Sequence, residues 1–349
     1  MNYATNYDTG DRKRGSGINE DSVALTVFEQ GHREGVTTAD TTRPTNRSGA
    51  VFALADGAGG HESGDVASYI ATTAICEQLA STAVQVTSRD PSAFDLDFER
   101  GTESADTPEL QSAIEDAIVA AHREILSYAA RSGTASYTTV VAGLCVGGRL
   151  HYGWVGDSRA YVVNEAREEI ARLTKDHAVV EELRDTGEID DVESHVHPRG
   201  NEITRALGGT GEEDPESATV SVETDSVALF AEDIVCITSD GIVDAQTDAP
   251  ALHEAYLESD RSADAAADIR EQSVTDADFT EWILSASSLE GAATTLIDRA
   301  NEHGGKDNLS TILFSDPALP ETPSDGGLPV RDREGADSIA DRETVILPD

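Results

Sequence analysis

Short apolar runs that begin or end on an aspartate constrain this chain more than any other feature. Asp21 precedes the run 23–28, Asp56 closes 51–55, and Asp157 lies just past 150–155. Asp240 follows 234–239, and Asp307 comes directly before 309–314. Runs this short, bounded by glycine turns such as Asp56-Gly57-Ala58-Gly59-Gly60, read as buried strands. A carboxylate at the end of such a strand is costly to desolvate unless a cation meets it. Converging at one edge of a sheet sandwich, these groups would form an all-oxygen ligand set. Such a set favours Mg²⁺ or Mn²⁺ over zinc, and no Cys or His cluster competes for the role.

Helical spacing separates the strands. Val66, Ile70, Thr73 and Ala74 follow Ser63, a plausible cap. Leu110, Ile114, Ala117, Ile118, Ala121, Ile125 and Tyr128 share one helix face. Strands are predicted over 137–146, 150–155 and 160–163, then over 218–223, 234–238 and 309–314. A short helix is expected at 176–186, and another carries Ala292, Leu296, Ile297 and Ala300 before stopping at Gly304. Residues 29–49 read as a hairpin or loop, 87–108 as an exposed acidic insertion, and 246–290 as a helical elaboration. This order predicts an α+β domain with antiparallel sheets over 1–316. An acidic, disordered tail is expected over 317–349.

Lys+Arg total 25 against 67 Asp+Glu, a formal net charge of −42, and only Lys13, Lys175 and Lys306 are lysines. Such a surface repels polyanions, so nucleic acid and anionic membrane are excluded as expected partners. The dense apolar runs argue against wholesale disorder, and the charge points to a halophilic-type surface adapted to high salt. Cys76, Cys145 and Cys236 lie in apolar segments without metal-type spacing, as expected of reduced core thiols. The polar N-terminus shows no apolar signal segment, and no run is long enough to span a membrane, so a cytoplasmic protein is expected.

The residues around the aspartates carry a family resemblance. Asn19-Glu20-Asp21, Asp56-Gly57-Ala58-Gly59-Gly60-His61, Gly156-Asp157-Ser158-Arg159, Ser239-Asp240-Gly241 and Asp307-Asn308 occur in the order expected of PPM (PP2C-like) phosphatases. So do Tyr137-Thr138-Thr139, Leu173-Thr174-Lys175-Asp176-His177 and Ile203-Thr204-Arg205-Ala206-Leu207-Gly208. An Asp-Gly pair alone is an ordinary turn, but the ordered set resembles the bacterial-type family over about residues 10–315. That resemblance implies a four-layer α-β-β-α sandwich of two mainly antiparallel sheets flanked by helices, with metals at one end. It implies a metal-dependent serine/threonine protein phosphatase that hydrolyses phosphoproteins in signal transduction, with a kinase as counterpart.

Carried over residue by residue, Asp56 would bridge two Mn²⁺ or Mg²⁺ ions, with the Gly57 carbonyl as a further ligand. Asp240 and Asp307 would complete the second ion, Glu20 and Asp21 would contribute directly or through water, and Asp157 would hold a third. Two cations about 4 Å apart generate a hydroxide that attacks phosphorus in line, without a phosphoenzyme. Asn308 is expected either to orient water or to serve as a turn residue. The family's phosphate-clamping arginine corresponds to Ser16 here, so Arg14 is the expected replacement. His61 and His177 read as structural, and His195 and His197 as solvated residues without a third ligand. A catalytically weak phosphoprotein-binding scaffold and a hydrolase of small phosphate esters stand as the competing readings.

Overall fold

A computed structural model of the chain describes residues 1–15, 17–29, 32–33, 48–57, 63–87, 107–243 and 249–324. Its strands are β1 (Asn2–Asp8), β2 (Asp21–Glu29), β3 (His32–Arg33), β4 (Ser48–Asp56), β5 (Ser136–Thr138), β6 (Val140–Val146) and β7 (Arg149–Val155). They continue with β8 (Arg159–Asn164), β9 (Glu169–Arg172), β10 (Leu207–Gly209), β11 (Glu223–Ala228), β12 (Asp233–Thr238) and β13 (Leu309–Ser315). The helices are α1 (Gly64–Thr87), α2 (Thr107–Ser132), α3 (Val179–Asp185), α4 (Asp191–Ser194), α5 (Ala249–Glu258), α6 (Ala263–Gln272), α7 (Asp276–Leu284) and α8 (Leu289–Glu302).

Period-two alternation builds the layers. Along β4, Ala50, Phe52 and Leu54 face a core that also holds Trp154, Val162, Val235, Ile237 and Phe314 from other strands. Val51, Ala53 and Ala55 face the opposite way, onto Ala67, Ile75, Ile114 and Ile118 of α1 and α2. β12 repeats the pattern: Val235 and Ile237 turn to the shared core, while Ile234 and Cys236 meet Phe279 and Leu296 of α7 and α8. Each sheet therefore buries both faces, one against helices and one against its partner sheet, which is why the central runs read as continuously apolar.

The first sheet has strand order β11-β7-β6-β4-β2-β3, the second β1-β13-β12-β8-β9, and β10 pairs with β5 alone. All of these pairings are antiparallel. The four-layer α-β-β-α sandwich expected from the family resemblance is thus the observed fold.

Several boundaries differ from expectation. β1 escapes pattern reading because only Ala4 of its seven residues is buried, as suits an edge strand. The strand expected at 218–223 forms instead at Glu223–Ala228, paired with β7. The elaboration 246–290 resolves into α5, α6 and α7, the last closed by a Thr275–Asp278 capping box.

The tail does not begin at 317. Ala231 N–H donates to Pro320 O at 2.9 Å, Asn164 Nδ2 to Thr322 Oγ1 at 2.9 Å, and Arg167 to Pro323 O at 2.6 Å. Residues 317–324 are therefore fastened to the β8–β9 and β11–β12 turns, and the rest of the expected tail lies outside the described residues. So does most of the expected 87–108 insertion.

Candidate functional site

The strand ends bring the carboxylates together. In the β2–β4 register Asp21 stands directly opposite Asp56. Ser239, the residue before Asp240, donates its hydroxyl to Asp21 Oδ2 at 2.9 Å, so the end of β12 in the second sheet meets the end of β2 in the first. Asp240 opens a 3₁₀ turn, Asp240–Ile242. A Cβ on Gly241 would lie 2.1 Å from the Asn308 carbonyl oxygen. Only glycine lets this turn close against the segment that carries Asp307. Gly57 has the same reason to be glycine: its Cβ would fall 2.4 Å from Gly64 O at the start of α1. Gly57 N–H donates to Glu20 O at 3.2 Å, which fixes the Asn-Glu-Asp segment against the Asp-Gly turn.

Electrostatics mark the same cluster. Desolvation first, then repulsion from Asp21 and Asp240, a close carboxyl contact with Asp240 and repulsion from Asp307, push Asp56 well above the ordinary carboxylate range. Desolvation likewise carries Asp21 up to about 6, against the lowering effect of its hydroxyl donors. Carboxylates crowded until they resist ionisation, with only oxygen donors around them, fit a hard divalent cation and little else. Asp21, Asp56, Asp240 and Asp307 meet in this way, with Glu20 and Gly57 at their edge. Asp157 is buried and, with Asp240, lines a cavity of about 900 Å³.

Two expected roles fall elsewhere. Arg14 does not reach the carboxylates: its guanidinium pairs with Asp8 at 2.9 Å and Asp11 at 2.7 Å. The cation in the cluster is its neighbour Lys13, whose ammonium pairs with Asp307 and feels Glu20 and Asp56. Asn308 uses its side-chain amide on backbone, accepting Glu20 N–H at 2.9 Å and donating to Thr9 O at 3.2 Å. It ties three segments of the site together. Sequence pattern missed Lys13, and it also missed Arg12 and Lys306, which line the cavity beside Asp157 and Asp240. Ser16, Ala58 and His61 lie outside the described residues.

The connecting motifs form a brace behind the site. Thr139 N–H donates to Asp56 O at 2.8 Å, and the Thr139 and Ser158 hydroxyls lie 2.7 Å apart. Arg159 grips Asp176 through Nε and Nη2, the latter at 2.7 Å, and Arg172 pairs with the other side of the same carboxylate. His177 Nδ1 accepts Gly156 N–H at 3.0 Å, and its Nε2 lies 3.0 Å from both Glu223 Oε1 and Arg205 Nη1. His177 is therefore structural, as expected. His197, expected to lack a third ligand, has neighbours from other elements: Glu193, His197 and His253 bring one potential ligand atom each within 4.8 Å of one another.

Comparison with known proteins follows the geometry. The family model described as protein phosphatase 2C matches residues 32–272. Over 265 residues the chain is 27% identical to the serine/threonine phosphatase stp of Listeria innocua, covering 75% of this chain and 83% of that protein. The crystal structure of the Mycobacterium tuberculosis serine/threonine phosphatase PstP/Ppp superimposes with a TM-score of 0.57 at 25% identity, covering 92% of this chain and 99% of that one. A PstP catalytic domain in complex with two manganese ions gives a TM-score of 0.53 at 23% identity, covering 89% and 96%.

Proposed function

The chain belongs to the protein phosphatase 2C family, and from that premise we infer that it is a divalent-metal-dependent protein serine/threonine phosphatase acting on phosphorylated proteins. The observation that carries this reading is the convergence of Asp21, Asp56, Asp240 and Asp307 from both sheets on one rim of the sandwich.

The described residues suit two ions, and manganese is favoured by the two such ions bound to the PstP catalytic domain. Asp56, beside Asp21 and Asp240, would hold the ions together with Asp21, Asp240, Asp307 and the Gly57 carbonyl, and Glu20 would act at the edge. Asp157, which lines the same cavity as Asp240, would hold a third ion, and Mg²⁺ meets the same oxygen donors. When bound, such ions polarise the phosphoryl group and lower the pKa of water near neutrality. The chain's own part is to hold its carboxylates in place, while the charge of bound ions would offset the repulsion that opposes their ionisation. Ser239 orients Asp21, the Asn308 backbone N–H holds Asp307 Oδ1 at 2.7 Å, and Thr139 fixes the strand end that carries Asp56. Arg12 and Lys306, with no carboxylate partner in an ion pair among the described residues, supply positive charge where a phosphate would enter.

A net charge of −42 argues against nucleic acid and anionic lipid as partners. Among the described residues no helix is long and apolar enough to cross a membrane. Burial pushes the Cys145 and Cys236 thiols up to about 12, so they are inert core residues. Unpaired core thiols favour a cytoplasmic site of action, and a serine/threonine kinase would be the counterpart that supplies the phosphorylated substrates.

The test is phosphopeptide hydrolysis with and without Mn²⁺ at high KCl. Wild type is expected to turn over only with metal. Asp240→Asn should lose activity by orders of magnitude, and Arg12→Ala should raise KM more than it lowers kcat. Metal binding without phosphate release at any salt concentration would replace the enzyme reading with a phosphoprotein-binding scaffold.

A further inference from the structure

Three further potential metal ligands come from elements that do not form the carboxylate rim. α4 and the loop after it carry Glu193 and His197, and α5 carries His253, some sixty residues later in the chain. The Glu193 side chain is buried. Its Oε1 lies 3.3 Å from His253 Nε2, while its Oε2 accepts Arg261 Nη2 at 2.6 Å. The His197 and His253 rings meet edge-on, with centroids 5.4 Å apart and planes at 83°. One donor atom from each of the three residues falls within 4.8 Å of the other two.

We propose that Glu193, His197 and His253 bind a zinc-class transition-metal ion that staples the segment bordering the catalytic cavity to the helical elaboration α5–α6. Two imidazoles and one carboxylate are the donor set zinc prefers, with a fourth position left for water. Ligands at ordinary zinc distances sit about 3.4 Å apart in a tetrahedron. The His253–Glu193 pair is already at that spacing, and the His197 donor atom, within 4.8 Å of both, must move in to close the site. Arg261 occupies Oε2 and leaves Oε1 for the ion. Counting Asp190, which lies 3.5 Å from Arg261, the surroundings keep one net negative charge to meet a dication.

Two bonds oppose the ion, and the first is the 3.3 Å contact between His253 Nε2 and Glu193 Oε1, whose shared proton must leave before both atoms ligate. His197 Nδ1 accepts Arg199 N–H at 3.2 Å, and ligation through either ring nitrogen gives this long local bond up. The neighbourhood shows why a staple would matter. The core that joins the two segments is small, made of Val192, Val196, Tyr256, Ala266 and Ile269. His195, His197 and Pro198 line the same cavity as Asp157 and Asp240. An ion at this site would hold that cavity wall in place. The donor set differs in kind from the oxygen-only rim, so the two sites separate by metal preference.

The experiment uses the full chain, stripped of metal and then saturated with Mg²⁺, and measures retained Zn²⁺ by equilibrium dialysis. Co²⁺ serves as an optical probe, since a nitrogen-rich low-coordinate site absorbs visibly where an oxygen-only octahedral site absorbs weakly. Wild type and Asp240→Asn should both retain one zinc and show the cobalt band. His197→Gln and His253→Gln should each weaken zinc retention at least tenfold and lose the band. His197 is partly exposed, so its substitution leaves the fold intact and keeps the test sharp. Equal zinc retention in wild type and His197→Gln, or no zinc retained by wild type, would overturn the proposal.

Discussion

Among single residues, Lys13 has the clearest consequence. Its desolvation lowers its pKa, but the Asp307 partner and the nearby Glu20 and Asp56 more than reverse this, so the ammonium persists. Without metal it is the one cation that the described residues place against Asp307. The pair is about one-third exposed on each side, so its contribution is below about 1 kcal/mol. Lys13→Gln should lower the melting temperature in chelator by about 2 °C. It should also enlarge the stabilisation on adding Mn²⁺, because metal then relieves repulsion that no ammonium offsets. Paired melting curves in EDTA and Mn²⁺ decide this, and equal metal-induced shifts in both proteins would sink it. Arg14 was the reasonable choice from sequence, since Arg12, Lys13 and Arg14 are consecutive cations in a glycine-rich run. What sorts them is the turn at Gly10, held at φ 77°, and the Arg12 N–H bond to Gly305 O at 3.1 Å. Neither leaves a periodic signal in the sequence.

At the scale of elements, the brace formed by β8, β9 and the segment after β9 is a buried charge cluster. Desolvation, the largest influence on Asp176, would raise its pKa, yet Arg159 and Arg172 together hold it below the ordinary 3.8. A depressed folded pKa means the stabilisation is complete above the unfolded value and fades as pH falls through the folded one. Asp176→Asn leaves two guanidinium groups facing a neutral amide in a site with little water, at a cost of about 3 kcal/mol near neutrality. Denaturant midpoints should show that deficit at pH 7 and a shrinking one below pH 3.8. A gap that stays constant into acid would refute the ion-pair account. The motif pair Gly156-Asp157-Ser158-Arg159 and Leu173-Thr174-Lys175-Asp176-His177 was legible through the family resemblance; the first also sits between the apolar strands β7 and β8, whereas β9 beside the second has no fully buried residue. The four layers came from the family resemblance: β4 and β12 are apolar on both faces, so their sequences mark buried strands without showing which layer each face meets. β1 was not legible, since an edge strand burying only Ala4 has no pattern to read. The Glu193–His197–His253 cluster was hidden because His253 comes from a helix whose position depends on tertiary packing.

For the whole molecule, charge dominates. The excess of 42 negative charges is carried in large part by exposed faces, among them Glu254, Glu258, Asp260, Asp264, Asp268 and Glu271 on α5, α6 and the turn between them. Few cations stand among them, so the folded state carries uncompensated self-repulsion that expansion relieves. The screening length is about 8 Å at 0.15 M salt and about 3 Å at 1 M, so molar salt removes most repulsion between neighbouring surface carboxylates. The interior opposes unfolding through apolar burial, which KCl alters little compared with strongly excluded salts such as sulfate. Stability should therefore rise steeply with KCl from 0.1 to 2 M, most of the gain coming at the lower end, where the screening length changes most. The measurement is best made in chelator, so that metal binding at the aspartate rim does not contribute. NaCl at equal ionic strength should give nearly the same curve if screening is the cause, whereas K⁺ sites on the surface would separate the two. A melting temperature independent of KCl would show that the acidic surface carries little repulsive energy, and the halophilic reading of the composition would fall with it.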